Sequence, residues 1–299
     1  MVMKLNELQL AARLDEARSW IEDGKPLHAI QAYLRLITAQ PKFLTAYIEL
    51  SSLYVDMGRF DAAVKVLLRA KCNFPDGQEV TYLLGNVHMG AEEYDKALNY
   101  FKKLVDMKLP RVHFNMGVAF FCQGNIKRAE EQFRLTMKYD PRFPKINESL
   151  GELLLKRNAY AEAIFHLKKG IELDPYNAVS HHLLGMGYRS LFEWKNAYNE
   201  FVIAIEMDPQ EAANWQLCGE MLMQLKRPDE SEQYLRKALE LQTESIETLI
   251  LLSEVFAQKG NSPKAREFIE RALRIDPKSS RAREVQWNIQ YMDKRSLRQ

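Results

Sequence analysis

The sequence predicts an all-α protein built as a solenoid of tandem helix pairs, and two series of small residues indicate it. In the first series, six of the seven intervals are 34 residues, and the interval between Gly85 and Gly117 is 32. The second series keeps the same spacing. Two in-phase series of this period are typical of an array in which each repeat buries its apolar face against its neighbours. The series are Ala17, Ser51, Gly85, Gly117, Gly151, Gly185, Gly219 and Ser253, and then Ala29, Ala63, Ala97, Ala129, Ala163, Ala197, Ser231 and Ala265.

Each repeat contains two amphipathic segments. In repeat 5, Leu150, Gly151 and Leu154 recur at helical spacing, and Leu167 and Ile171 do so again after a break. Numbering each repeat from 1 to 34 puts the small residues at positions 8 and 20. The predicted repeats are 10–43, 44–77, 78–109, 110–143, 144–177, 178–211, 212–245 and 246–279, with 1–9 extending the first helix and 280–299 forming a C-terminal capping helix and basic tail.

Glycine and proline set the helix ends. Position 15 carries glycine in four repeats, where the first helix must end in a conformation that glycine adopts freely. Position 32 carries proline in six repeats and stops the second helix, because proline lacks an N–H group. These residues are Gly24, Gly58, Gly124 and Gly260, and Pro41, Pro75, Pro141, Pro175, Pro209 and Pro277.

The pattern resembles the tetratricopeptide repeat family, in which an aromatic residue, Leu-Gly, Tyr, Ala, Phe and Pro stand at these offsets. Repeat 6 shows it most fully, with Leu184, Gly185, Tyr188, Trp194, Ala197, Phe201, Ala204 and Pro209. The resemblance implies a right-handed superhelix whose concave face is lined by the first helix of each repeat. It also implies protein binding.

Repeat 3 is two residues short. Because Ala97 to Ala129 and Phe101 to Phe133 are also 32 apart, the deletion lies between Phe101 and Gly117. We place it at the turn around residues 109–110 and predict a local change in superhelical pitch there.

Bulk composition argues against several classes of function. Lys plus Arg number 42 and Asp plus Glu 40, so no net field attracts nucleic acid or an anionic membrane. No stretch approaches the roughly 20 apolar residues of a membrane span. Cys72, Cys122 and Cys218 show neither disulfide nor metal-ligand spacing, and the first twenty residues lack the apolar core of a signal peptide. We therefore expect a cytoplasmic protein without membrane insertion.

The sequence offers no catalytic constellation. The histidines form neither H-x-x-x-H nor H-E-x-x-H, and no phosphate-binding or nucleophile motif is present. Glu148 and Glu152 are one helical turn apart, which favours a solvated face. We expect no enzyme activity, no cofactor and no metal. His88 and His113 fall on positions usually held by large core residues, and His182 is expected to face the groove.

The family's groove positions are 2, 5, 9, 12 and 13. In repeats 3 and 4 they carry Tyr82, Asn86, Met89, Phe114, Val118 and Phe121, which are mostly apolar. In repeats 5 to 8 they carry Glu148, Glu152, Lys156, His182, Met186, Arg189, Gln216, Glu220, Met223, Ile250 and Glu254, which are predominantly acidic. Either Tyr82 and Phe114 simply pack against adjacent helices, or the groove binds a helical or extended segment with an apolar anchor followed by basic residues.

Chaperone-binding members of the family hold a C-terminal carboxylate with five side chains. Asn86, Asn115 and Lys145 match three of them, whereas Tyr82 and Ser149 replace two cations. We expect no strong chaperone-tail binding and leave open a weaker site for an acidic tail at the three matching residues.

The capping helix has an apolar stripe of Ala282, Val285, Ile289 and Met292. Trp287 and Tyr291 lie off this stripe, one turn apart. We expect them to pack into repeat 8; the alternative is a docking or homo-oligomerisation surface. The basic residues of the tail are too few to indicate nucleic-acid binding, and they are Arg281, Arg283, Lys294, Arg295 and Arg298.

The function most consistent with these features is a non-enzymatic scaffold or adaptor that grips partner segments within a multiprotein assembly. The alternative is a regulatory or substrate-recognition subunit whose catalytic partner is another chain. An RNA-binding helical repeat is disfavoured by the acidic groove and by a period of 34 rather than 35 residues.

Overall fold

The computed structural model describes residues 6–296, with side chains described as far as Tyr291. In this range the chain forms seventeen α-helices and one 3-10 helix, and no strand. The side chains of Met292, Lys294 and Arg295, and residue Arg298, lie outside the described part. The chain divides into two compact units, residues 1–146 and 147–299, here called the N-terminal and C-terminal halves.

Two helices form each repeat in both halves. The N-terminal half contains α1 (Glu7–Glu22), α2 (Pro26–Ala39), α3 (Leu44–Asp56), α4 (Phe60–Asn73), α5 (Gln78–Gly90), α6 (Tyr94–Lys102), a 3-10 helix (Val105–Met107), α7 (Pro110–Cys122) and α8 (Ile126–Tyr139). The helix α9 (Ile146–Lys156) starts at the end of this half. The C-terminal half continues with α10 (Tyr160–Leu173), α11 (Ala178–Ser190), α12 (Trp194–Met207), α13 (Ala212–Gln224), α14 (Pro228–Leu241), α15 (Ile246–Gln258), α16 (Ser262–Ile275) and α17 (Ser280–Ser296).

The two helices of a repeat meet at position 8 of the first helix. A Cβ atom added to Gly117 would lie 2.5 Å from the Phe133 ring, and one added to Gly185 would lie 2.6 Å from Phe201. Phe133 and Phe201 are position-24 residues and are buried. The small residue therefore acts as the hole that admits the large residue of the second helix.

Every first helix ends in a left-handed residue at position 15. The four glycines there have φ between +68° and +74°, as the sequence predicted. The other four repeats reach the same conformation without glycine, at Glu92, Asn158, Phe192 and Lys226, with φ between 57° and 61°. Packing of the repeats therefore imposes this left-handed turn, and a glycine there only removes the cost of a side chain at positive φ.

Position 4 carries a second recurring contact that the sequence reading missed. Tyr47 donates its hydroxyl to the carbonyl of Pro41 at 3.2 Å, and the Trp215 indole donates to that of Pro209 at 3.0 Å. His181 lies 3.3 Å from the carbonyl of Pro175 in the same way. In each case the first helix is tied to the carbonyl of the closing proline of the preceding repeat.

Repeat 3 departs from this scheme over more residues than the predicted turn. Its second helix, α6, has 9 residues where α4 and α8 have 14, and a 3-10 turn and left-handed Lys108 (φ 52°) follow. The shortening therefore includes the end of α6 as well as the turn. The predicted change in pitch remains a prediction.

The irregular junction also leaves an atom unpaired. His113 occupies position 4 of repeat 4 and is 2% exposed, and its Nδ1 lies 2.9 Å from Gln132. Its Nε2 is buried without a hydrogen-bond partner among the described residues. Repeat 3 has no closing proline, and no described carbonyl meets this nitrogen as the Pro175 carbonyl meets His181 Nε2.

Replacing Lys226 by glycine should stabilise the protein by about 1 kcal/mol, because a side chain at positive φ costs roughly that much. Urea unfolding of the full chain measures the change. Lys237→Gly, within α14, is the matched control and should destabilise by about 1 kcal/mol, the usual penalty for glycine inside a helix. A loss of stability in both variants would contradict the interpretation.

Gly117→Ala should destabilise by about 1–3 kcal/mol, since the added methyl overpacks the contact with Phe133. Gly170→Ala in α10 is the control: its Cβ would lie 3.5 Å from the nearest atom, an ordinary contact, so it should be neutral or stabilising. Thermal and urea unfolding compare the two. Equal effects would show that the close approach does not govern packing.

Candidate functional site

One half-buried strip crosses α5 and α7 in the N-terminal half. It comprises Tyr82, Asn86, Met89, Phe114, Asn115, Val118 and Phe121, hereafter the aromatic strip, and every member is of intermediate exposure. In α5 they recur every three or four residues, and in α7 the adjacent pair Phe114 and Asn115 is followed at such spacings by Val118 and Phe121, so each set lies on one side of its helix. The residues between them, such as Leu84 and Met116, are buried in the core.

Packing holds the two position-5 rings of the strip. Tyr82 lies with its ring centroid 5.9 Å from that of Phe101, and Phe114 lies 5.7 Å from Phe133 and 5.0 Å from Phe143. These contacts agree with the reading that both rings pack against adjacent helices. Because both rings stay only partly buried, they also present a fixed apolar surface.

A polar network fixes the middle of the strip. The Asn115 amide donates to Asn86 Oδ1 at 2.7 Å and to the Tyr82 hydroxyl at 3.2 Å. Arg111 lies 4.3 Å above the Tyr82 ring and donates to Glu79 at 2.6 Å. Among the described residues, no group pairs with Asn115 Oδ1 or with the Asn86 amide nitrogen. The two asparagines therefore present one acceptor and one donor side by side.

Lys145 does not occupy the helical position that the sequence reading gave it. The helix α9 begins at Ile146, and Lys145 is an exposed residue of the preceding turn with φ 61°. A left-handed residue cannot continue a right-handed helix, so α9 starts after Lys145. Asn86 and Asn115 meet, and Lys145 stands in the turn before α9.

The predicted acidic lining of the C-terminal half is largely compensated. Glu220 accepts a hydrogen bond from Arg189 Nη2 at 2.8 Å, and Glu152 pairs with Lys156 at 3.4 Å. Glu148 accepts from Asn177 at 2.7 Å. Because Arg189 and Lys156 offset the charges of Glu220 and Glu152, these two residues attract a basic segment less strongly than their number predicts, whereas the neutral Asn177 leaves the charge of Glu148 in place.

Two members of that predicted lining are buried. Met223 is 8% exposed and Ile250 1%, and both belong to the core formed around α15 and α16. Met186 and Gln216 are half-buried, and Gln216 accepts from Thr248 at 2.9 Å.

The burial of two histidines was predicted correctly. His88 and His113 are buried, and His181 is buried with Nδ1 2.7 Å from Glu200. His182 is only partly buried, and its Nδ1 lies 2.7 Å from Asn214 Oδ1. Within the described residues no group of three or more His, Cys, Asp or Glu could hold a metal ion. None of the described helices combines the length and apolar character that crossing a membrane requires.

The expectation that Trp287 and Tyr291 pack into repeat 8 was wrong. They are 62% and 56% exposed, and their rings stack on each other at 5.3 Å. Ala282, Val285 and Ile289 are buried instead. Trp287 stands at position 8 of the register, where a small residue elsewhere admits a second helix, and no described helix covers α17 on that side.

Burial raises the pKa of Glu254, and the carboxylates of Glu247 and Glu220 add to the rise while Arg281 opposes it. The Glu254 side chain is 29% exposed and lies 3.5 Å from Arg281. Ionising this carboxylate in the folded protein therefore costs free energy.

A stack of paired helices with small residues at their crossing defines a helical-repeat protein. The chain belongs to the tetratricopeptide repeat family, which matches it at residues 48–110, 82–135, 114–178 and 210–278.

Individual relatives resemble parts of the chain. Small glutamine-rich tetratricopeptide repeat-containing protein 2 of Mycosarcoma maydis is 32% identical over 97 residues, covering 32% of this chain and 28% of the relative. The chain spans between 13% and 37% of the length of the curated relatives it matches.

Two solved structures share the fold. The APC/C hetero-tetramer Cut9-Hcn1 matches with a TM-score of 0.62 at 16% identity, over 96% of this chain and 57% of the other. YrrB, described as a tetratricopeptide repeat protein with an unusual peptide-binding site, matches with a TM-score of 0.56 at 18% identity, over 62% of this chain and 97% of the other.

Glu254→Gln should raise stability at pH 7, because it removes a charge that burial disfavours. A raised native pKa means that the protonated state favours folding, so the advantage of the variant shrinks as pH falls through the raised pKa. It disappears below the ordinary glutamate pKa of about 4.3. Urea unfolding at several pH values tests this. Glu240→Gln, at a side chain 67% exposed, should give no comparable gain; an equal gain would contradict the role of burial.

Proposed function

We propose that this protein is a non-enzymatic scaffold that binds an extended segment of a partner protein along the aromatic strip. The observation that carries the proposal is the combination of half-exposed fixed rings with an unpaired donor and acceptor on neighbouring asparagines. Met and aromatic side chains are common anchors of protein interfaces, and rigid ones lose little entropy on binding.

The asparagine pair favours an extended partner over a helical one. In a helix the main-chain N–H and C=O groups are used internally, whereas an extended segment offers both to a neighbour. Asn115 Oδ1 and the Asn86 amide nitrogen match the N–H and C=O of one residue of such a segment, which point to the same side of an extended chain. The partner's apolar side chain would then lie against Phe114 and Phe121.

The family and fold support this role in coarser terms. One solved structure of similar fold is described with a peptide-binding site and another is a subunit assembly. The alternative, a recognition subunit for an enzyme on another chain, uses the same surface. Affinity purification with mass spectrometry separates the two by identifying what is bound.

The double variant Phe114→Ala, Phe121→Ala should weaken binding by more than about 2 kcal/mol, roughly 30-fold, if these rings are hot spots. The probe is a peptide selected by phage display on the wild-type chain, and titration calorimetry gives its affinity. Phe165→Ala, at an exposed ring (53%) on α10, is the control and should leave affinity unchanged.

Circular dichroism of both variants checks that the helices remain folded. Unchanged affinity for the strip variant, or an equal loss in the control, would contradict binding at the aromatic strip.

A further inference from the structure

A separate pocket of about 290 Å³ opens in the C-terminal half, where α11 and α13 begin. Its rim includes two exposed residues of the loop between α12 and α13, Asp208 and Glu211. The lining residues are Ala178, Val179, His182, Asp208, Glu211, Ala213 and Asn214. Only His182 was among the predicted groove residues, because Asp208 and Glu211 lie in the loop rather than on a groove position.

The two carboxylates at the rim differ from the other acidic groups of this half. Asp208 and Glu211 are exposed, and neither has a cationic partner among the described residues, whereas Glu220, Glu152 and Glu254 do. Each accepts one backbone hydrogen bond, from Gln210 at 3.1 Å and from Ala213 at 3.2 Å. Their negative charge therefore remains available to a ligand.

An aspartate in this loop is not in itself evidence of a site. Asp174 and Asp276 occupy the same position in other repeats and accept similar bonds, from Tyr176 at 3.4 Å and Lys278 at 2.8 Å. Glu211 is different, because the other repeats have no carboxylate at their position 34. The paired carboxylates are thus specific to this pocket.

Asn214 gives the independent observation. It is 3% exposed, lines the pocket, and accepts a hydrogen bond from His182 through Oδ1 at 2.7 Å. No described residue accepts a hydrogen bond from its amide nitrogen. Because Asn214 lines the pocket and its amide nitrogen is not a buried orphan, this donor is open to a ligand that carries an acceptor.

The tautomer of His182 follows from the same contact. Because Asn214 Oδ1 accepts, His182 Nδ1 must donate, and Nε2 of the neutral ring is then an acceptor. The pocket therefore combines acceptors at Asp208, Glu211 and His182 with one donor at Asn214. A cation next to a carbonyl group satisfies all four.

We propose that this pocket binds a lysine or arginine side chain of a partner polypeptide. Its aliphatic stem would lie on Val179 and Ala213, its charged head would meet Asp208 and Glu211, and a main-chain carbonyl would accept from Asn214. The inference rests on the proposed function in that the cation belongs to a polypeptide. The two carboxylates thus select a basic residue of the partner, and the aromatic strip selects an apolar residue of the partner.

The test uses blocked pentapeptides and the full chain with labelled methyl groups. Acetyl-Gly-Gly-Arg-Gly-Gly-amide should shift the NMR signals of Val179 and Ala213, and the citrulline peptide, a neutral isostere, should bind about tenfold more weakly. The double variant Asp208→Asn, Glu211→Gln keeps a side-chain oxygen for each of the two backbone N–H groups. It should bind the arginine peptide about tenfold more weakly than the wild type does.

Asp174→Asn, at the equivalent loop position one repeat earlier, is the control and should bind the arginine peptide like the wild type. Absent shifts, equal binding of the two peptides, or an unaffected double variant would overturn the proposal. The readout lies at Val179 and Ala213, and the assay needs no protein partner. Failure here therefore leaves the test of Phe114 and Phe121 untouched, and the converse also holds.

Discussion

The close approach of the two helices in each repeat is the constraint on which the remaining contacts depend. At Gly117 a single added carbon would collide with the Phe133 ring. That approach fixes how deeply each second helix sits against the first, and hence where the next repeat's first helix can lie. Asn86 and Asn115, 29 residues apart in sequence, come within 2.7 Å because two successive first helices are held side by side.

The regular parts of the fold were predictable because each is encoded by residues close in sequence. Small residues, terminal glycines and closing prolines act within one turn of the helix end they determine. The left-handed turns at Glu92 and Phe192 were missed because packing imposes them against local preference. In repeat 3, the spacing of the small residues predicted the size of the deletion. It did not predict that α6 ends early, because that depends on how the repeats pack at the junction.

The same distinction between local and long-range interactions separates what could be predicted of the candidate site from what could not. Helical periodicity placed the aromatic strip on one face, and its exposure follows. Charge was not predictable in this way, because long side chains such as Arg189 and Arg281 reach acidic residues about 30 positions away and neutralise them. Trp287 was misplaced for a related reason: sequence identifies the buried stripe of α17 but not whether another helix covers the opposite side.

The irregular junction and the aromatic strip share the same helices. His113, with an unpaired buried nitrogen, directly precedes Phe114 of the strip, and α5 and α7 flank the shortened α6. An unsatisfied buried atom destabilises a fold, so its presence argues that the junction serves something other than stability. Restoring two residues would lengthen the link between the helices that carry Tyr82 and Asn86 on one side and Phe114 and Asn115 on the other. The deletion therefore lies in the link between the two helices that carry the surface we assign to partner binding.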